Sequence, residues 1–390
     1  MLEFGLRRAQ GPDGAVSASK YSYVGGFDGT SNVLAGKLFG IDAKGTMAHA
    51  YVMCCTSIDD VRIRKLVKAD QSEEIDLVDL VLAKKEILGF TSGPSMGELA
   101  SFITYAIAFP SNFLALVDTY NTLRSGVPNF LAVGWALHDL GYYPVGIRLD
   151  SGDLAELSKA VRRMYLEADA KIGKEIFGAK RSDGNGNRVI VSASNDINED
   201  SLYALNRQKH EIDLFGIGTH LVTCQQQPAL GCVYKLVELN GTPRIKISEE
   251  RGKTVLPCAK KVFRFFDEQD KPLLDYISTV QESDPVAHTE VLCRHPSDES
   301  KRVMAIPSRV QSELNLVWGA GAESAIGPHS LPSPFDLKAC RSLCVEELSV
   351  FGERLTRKDG PVGYPVYLSP ALYDQLNFLW STQVPIPVVR

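Results

Sequence analysis

Apolar residues in this chain come in short continuous runs, each closed by polar residues and followed by a stretch of helical spacing. The run at 113–117 ends in Asp118-Thr119-Tyr120, and the run at 143–149 ends in Asp150-Ser151-Gly152-Asp153. The run at 188–191 ends in Ser192-Ala193-Ser194-Asn195-Asp196, and that at 212–215 ends in Gly216-Ile217-Gly218-Thr219-His220. Helical patterns fill 128–140 and 198–208, while Leu154, Leu157, Val161 and Met164 recur at helical intervals, so strand and helix alternate. Nearly continuous apolar strands in such an alternation imply a parallel sheet covered on both faces. Polar residues gathered at the C-terminal ends of successive strands then form the rim of a barrel-type active site, with Ser194 among its substrate-binding candidates.

The junction Gly-Ile-Arg-Leu-Asp-Ser-Gly-Asp at 146–153 carries the most chemistry. It ends a strand in an arginine and two carboxylates and starts a helix at once, with Ser151 expected as the N-cap and Asp153 in the first turn, where the helix dipole favours it. Caps explain Ser151 and Asp196 but not Arg148 or the Gly-Ile-Gly-Thr turn, so Arg148, Asp150 and Asp153 are expected at an anion and metal site. Upstream, Glu3-Phe4-Gly5-Leu6-Arg7-Arg8 is expected as a short strand that delivers two guanidinium groups, which match phosphate or carboxylate in bidentate geometry. The glycine-rich turn 25–32 leads into a helix at 33–39 whose free N–H groups suit an anion or a polar ring substituent. His49 lies in the apolar segment 45–52, where imidazole can serve as base, nucleophile or ligand, or as a satisfied core residue.

Composition sets limits on these readings. With 390 residues, 44% hydrophobic and 23% charged, the chain can bury a large core and is expected to hold two domains, 1–257 with the active site and 258–390. No apolar run is long enough for a bilayer, and Arg7 and Arg8 interrupt the first apolar residues, so neither a membrane span nor a signal peptide is expected, and a cytoplasmic location is expected. Eight cysteines without paired CxxC sets are expected to be free thiols. A net charge of −5, with an isoelectric point near 5.9, argues against nucleic acid as a partner.

Taken together, several segments resemble the nicotinate phosphoribosyltransferases of the animal type. They are 3–10 (Glu-Phe-Gly-Leu-Arg-Arg-Ala-Gln), 25–32 (Gly-Gly-Phe-Asp-Gly-Thr-Ser-Asn), 45–49 (Gly-Thr-Met-Ala-His), 109–120, 148–153, 216–219 and 223–231. The resemblance implies an irregular TIM-like α/β barrel of the type II phosphoribosyltransferase kind with a smaller flanking α/β domain, and a head-to-tail homodimer that shares each pocket. It implies a reaction that joins nicotinate to phosphoribosyl pyrophosphate, with ATP as co-substrate and Mg2+ or Mn2+ as the ion. His49 matches the histidine that ATP phosphorylates, Thr46 and Arg148 match positions that contact nicotinate, and Thr219 matches one that holds the 5-phosphate of the sugar. The chemistry is consistent with that assignment. Asp118, Asp150 and Asp153 can face the ribose or hold the ion, Arg7 and Arg8 can neutralise the leaving diphosphate, and Gly218 with its neighbours lets main-chain N–H groups approach a phosphate. Ser31 stands where nicotinamide-using relatives carry an aspartate, and a hydroxyl with Arg148 nearby favours the acid over the amide.

Family members begin upstream of the segment that matches Met1, so part of the flanking domain and a partner aromatic residue are expected to be missing, and the chain alone is expected to be a poor enzyme. Residues from about 267 onward are expected to form a turn-rich segment, including 281–285 and 328–335, then a helical tail at 337–357. Two other classes fit parts of the pattern: a quinolinate-type barrel phosphoribosyltransferase, which calls for more pocket arginines and a decarboxylation step, and an inactive paralogue that binds nucleotide or pairs with an intact subunit.

Overall fold

The computed structural model describes residues 1–390 apart from 91–92, 179–187, 227–234, 247–254, 316–335, 361 and 384–390. The motif at 227–231 and the turn at 328–335 lie outside the described residues. The chain divides into two compact units, Met1–Pro228 and Ala229–Arg390.

The first unit runs β1 (Leu2–Glu3), α1 (Gly11–Val24), β2 (Gly29–Thr30), α2 (Val33–Phe39), α3 (His49–Val52), β3 (Lys65–Val67), β4 (Glu74–Asp76), α4 (Leu77–Ile87), α5 (Met96–Ala108), β5 (Leu114–Leu116), α6 (Val127–Asp139), β6 (Gly146–Leu149), α7 (Leu154–Ile172), β7 (Ile190–Ala193), α8 (Glu199–Arg207), β8 (Leu214–Ile217) and α9 (Thr219–Val222). Six of the strands form one parallel sheet in the order β2-β1-β8-β7-β6-β5, while β3 and β4 make a separate antiparallel pair. The α/β class and the curled parallel sheet of a barrel expected from the sequence are present. Among the described residues the sheet is a half-barrel with β2 and β5 at its edges. The core behind it is aromatic: Phe113 stacks on Phe130 at 5.5 Å, and Tyr165 and Phe177 pack on the same ring at 6.1 and 6.0 Å. Helix α6 is buried almost all round, as a helix apolar on every face must be. Its approach to β5 needs Gly126, because a Cβ there would meet the carbonyl oxygen of Val117 at 1.9 Å.

Three local expectations are corrected. The strand before Arg148 starts at Gly146, not 143, and the N-terminal segment is a two-residue strand followed by a 3-10 turn at Leu6–Arg8 that carries both arginines. The N-cap of α7 is Asp153, whose carboxylate accepts from the Glu156 N–H at 3.0 Å; the Ser151 hydroxyl instead donates to Asp118 at 2.5 Å. Either side chain is a good cap. Gly152, with φ +79°, turns the chain between them, so that the helix begins after Asp153 and Ser151 is left free to bridge strands.

The second unit contains β9 (Glu238–Leu239) and β10 (Thr242–Pro243) as a small hairpin, then β11 (Lys260–Phe266), β12 (Pro272–Thr279), β13 (Val291–Arg294), β14 (Arg302–Ala305), β15 (Arg309–Ser312), α10 (Leu337–Ser349), α11 (Glu353–Thr356), β16 (Val366–Leu368) and α12 (Pro370–Gln383). Its six-stranded sheet has the order β14-β13-β16-β12-β11-β15 and is antiparallel except between β12 and β16. Phe265 stacks on Tyr276 at 5.3 Å in one small core, and Leu368, Leu372, Tyr373 and Leu376 form another under α12. The expected helical tail is two helices, because the chain leaves the helix after Ser349 and restarts from Gly352.

Candidate active site

The strand order brings the polar rim together. Glu3 pairs with Thr30 on one side and Ile217 on the other, so the next residues along, Phe4, Ser31 and Gly218, stand side by side past the sheet's C-terminal edge. Arg148 pairs with Ser192 and Leu149 with Ala193, which sets Asp150 level with Ser194. There a cavity of about 620 Å³ is lined by Arg7, Arg8, Ser31, Thr46, His49, Arg148, Asp150, Ser194, Gly218 and Thr219, together with Phe4 and the Asn195-Asp196 turn. Phe4 lies against Gly216, where a Cβ would meet its ring at 2.4 Å, and the guanidinium of Arg148 sits 5.9 Å from the ring centroid.

Arg148 and Asp150 are fixed by one hydroxyl. Ser194 Oγ donates to Asp150 Oδ1 and accepts from Arg148 Nε at 2.9 Å, while Arg148 Nη2 reaches Asp150 Oδ2 at 3.2 Å. His49 opens α3 with its ring 40% exposed and its Nε2 3.6 Å from Asp150 Oδ2 and 3.8 Å from Asp118 Oδ1. Asp118 does not line the cavity. It sits behind Asp150, accepting the Asp150 N–H at 3.2 Å on Oδ2, while its buried Oδ1 has no hydrogen-bond partner among the described residues. Asp153 also lies outside the lining, engaged as the α7 cap, and so does His220. Arg7 and Arg8 are exposed on their turn at the cavity. Thr46 donates its hydroxyl to the Met47 carbonyl at 3.1 Å.

Sequence reasoning missed the role of Phe4 as a cavity wall and the left-handed pair Asn195 and Asp196, at φ 94° and 48°. A signal existed for the pair, since Asn and Asp are the non-glycine residues that most readily adopt such backbone. It also missed Glu98, which is fully buried on α5 and accepts from Ser125 Oγ at 2.5 Å and Asn129 Nδ2 at 3.0 Å. Burial, with the nearby Asp118 charge adding to it, pushes the Glu98 carboxyl up to about 7. Its folded state therefore holds the proton more tightly than the unfolded chain. The stabilisation is fully present below about pH 4.5 and is lost as pH rises through about 7. Thermal melts across that window are expected to show a loss in the native protein that exceeds the loss in Glu98→Gln by on the order of 3 kcal/mol. The same slope in both would place the titration elsewhere.

Among the described residues no group of three or more His, Cys, Asp or Glu gathers as a metal site, and no helix is long and apolar enough to cross a membrane. The nicotinate phosphoribosyltransferase family model matches residues 135–284, and the model of the nicotinate phosphoribosyltransferase C-terminal domain matches 259–376. Nicotinate phosphoribosyltransferase 1 of Arabidopsis thaliana is 46% identical over 394 residues, covering 99% of this chain and 68% of the relative. The Homo sapiens nicotinate phosphoribosyltransferase is 39% identical, covering 99% and 70%. The crystal structure of human nicotinic acid phosphoribosyltransferase superposes with a TM-score of 0.76 at 35% identity, covering 97% of this chain and 70% of that one. Nicotinate-nucleotide pyrophosphorylase from Pyrococcus furiosus, at 19% identity and a TM-score of 0.50, shares the fold. With relatives this similar over nearly its whole length, and the rim residues of the matched segments gathered around one cavity, this chain belongs to the nicotinate phosphoribosyltransferase family.

Proposed function

We propose that this protein is an ATP-coupled nicotinate phosphoribosyltransferase of the cytoplasm, joining nicotinate to 5-phospho-α-D-ribose 1-diphosphate to give nicotinate mononucleotide and pyrophosphate, the first step from nicotinate to NAD. The observation that carries this reading is the single cavity in which Arg148, Asp150, His49, Ser31 and Thr219 meet. The names of the relatives support it, and the free cysteines suit a reducing compartment.

Each side chain has a chemical task in this reading. Arg148, with Thr46 and Ser31 beside it, receives the ring carboxylate, and Ser194 holds the guanidinium and Asp150 in register. Displacement at the anomeric carbon leaves positive charge on the ribose, which Asp150 faces, and negative charge on the diphosphate, which Arg7 and Arg8 face. Main chain at Gly218 and Thr219 approaches the 5-phosphate. Asp153 acts at one remove, by capping the helix that follows Asp150. His49 takes a phosphoryl group from ATP: the ring N–P bond forms as the bond from the γ-phosphorus to the ADP oxygen breaks, and ADP leaves with the electron pair.

The donor set fits a hard divalent cation. Asp150 offers a carboxylate oxygen to the cavity and Asp118 Oδ1, buried behind it and without a hydrogen-bond partner among the described residues, a second one next to it, and Mg2+, or Mn2+, takes such oxygens together with substrate phosphates and water. The ion, when bound, would neutralise charge on the leaving diphosphate. Exposed Val33, Leu34 and Leu38 on α2, just after Ser31, suit a homodimer whose chains share each pocket, with no nucleic acid or membrane needed.

The experiment is an assay of nicotinate-dependent pyrophosphate release from the sugar substrate, with ADP followed in parallel and the protein taken through a dilution series. Expected are nicotinate mononucleotide, ADP formed alongside it, poor use of nicotinamide, and specific activity that falls on dilution. Carbon dioxide release from quinolinate, or no dependence on nicotinate, would overturn the reading.

A further inference from the structure

We infer that Thr119 is the positioning residue for His49, a role that rests on the phosphohistidine reading above. Thr119 follows Asp118 at the end of β5, and its hydroxyl lies 3.0 Å from His49 Nδ1 across a separation of 70 residues. Among the described residues this is the one hydrogen bond the imidazole makes. The carboxylates of Asp150 and Asp118, 3.6 and 3.8 Å from Nε2, lie beyond hydrogen-bond reach.

The local backbone cannot supply this control. His49 is the first residue of a four-residue helix entered from extended Ala48, with φ −105° and ψ 161°, and its ring is 40% exposed to the cavity. Such a side chain turns freely about its two χ angles unless something holds the ring. Thr119 holds it by one nitrogen and so fixes the plane that carries the other nitrogen toward Asp150 and Asp118. Two successive residues of one loop, Asp118 and Thr119, thereby face opposite nitrogens of the same ring. A nucleophile must meet phosphorus along the in-plane lone pair of its nitrogen, so a ring free to rotate loses rate at the transfer step itself, without weakening the contacts that bind ATP elsewhere.

The test uses the whole chain with Thr119→Val, which keeps the branched shape and removes the hydroxyl, and Thr119→Ser, which restores it. The first-order rate of label transfer from γ-labelled ATP is measured at several ATP concentrations. In Thr119→Val the rate at saturating ATP is expected to fall about tenfold or more, while half-saturating ATP stays within about twofold, and Thr119→Ser is expected to recover most of the rate. A valine variant as fast as the native chain, a serine variant as slow as valine, or an equal change in half-saturation would overturn the role.

If the native chain takes no label, the phosphohistidine reading fails, and Thr119 is judged by the imidazole 15N spectrum of His49 in the unliganded protein. One fixed tautomer in the native and serine forms, with a tautomer mixture in the valine form, sustains the inference. Identical spectra in all three sink it.

Discussion

His49→Ala protein incubated with γ-labelled ATP is expected to take up no acid-labile, base-stable label, and to lose all stimulation of turnover by ATP. His49 is the one histidine lining the cavity, its ring is hydrogen-bonded to Thr119, and its second nitrogen faces two carboxylates that can steady positive charge on a phosphorylated imidazole. Removal of the ring leaves Arg148, Thr46 and Thr219, the residues proposed to hold nicotinate and the sugar, in place, so substrate binding should persist while turnover with ATP drops to the rate without it. Alanine removes only partly buried packing, because the ring is 40% exposed, so a folded variant is expected by thermal melt. Label that survives in the folded variant would move the phosphoacceptor to another residue.

The second large effect is at Arg148. Its guanidinium reaches Ser194 through Nε at 2.9 Å and Asp150 through Nη2 at 3.2 Å, a planar arrangement that a lysine ammonium cannot reproduce while also meeting a ring carboxylate. Arg148→Lys is expected to weaken nicotinate by on the order of 2 kcal/mol, roughly thirtyfold, the scale of one charge-assisted hydrogen bond left unmade. Half-saturation by the sugar substrate should change much less. Steady-state titration of nicotinate and nicotinamide against native and variant protein reads the effect, and an equal loss for both rings would show that the arginine does not read the carboxylate.

Much of this site could be read along the chain because four of its polar side chains follow apolar runs. Asp118, Asp150, Ser194 and Thr219 stand at the ends of β5, β6, β7 and β8, and in a parallel sheet all such ends lie at one edge. Helix α2 was legible for a similar local reason: Asn32 caps it by accepting from the Ala35 N–H, and Gly40 closes it in a left-handed conformation. The flanking sheet was less legible. Strands β11 to β15 alternate only in part, their burial depends on which strands pair, and that pairing joins β12 to β16 across more than ninety residues. Local propensity carries no information about such partners.

The amino-acid sequence by itself determined the α/β alternation, the polar strand ends and the chemistry available at them, because periodicity and side-chain type are local properties. Tertiary structure decided which of those groups act together. It placed Asp153 on a helix cap rather than in the cavity and set Asp118 behind Asp150, since the Gly152 turn directs the chain between them. It buried Glu98, which at the third position of a helix reads as an exposed capping residue, beside Ser125 and Asn129. It also brought Thr119 to the ring of His49. Contacts of that kind join residues far apart in the chain, and they exist only once burial of the aromatic core has closed the sheet's edge around one cavity.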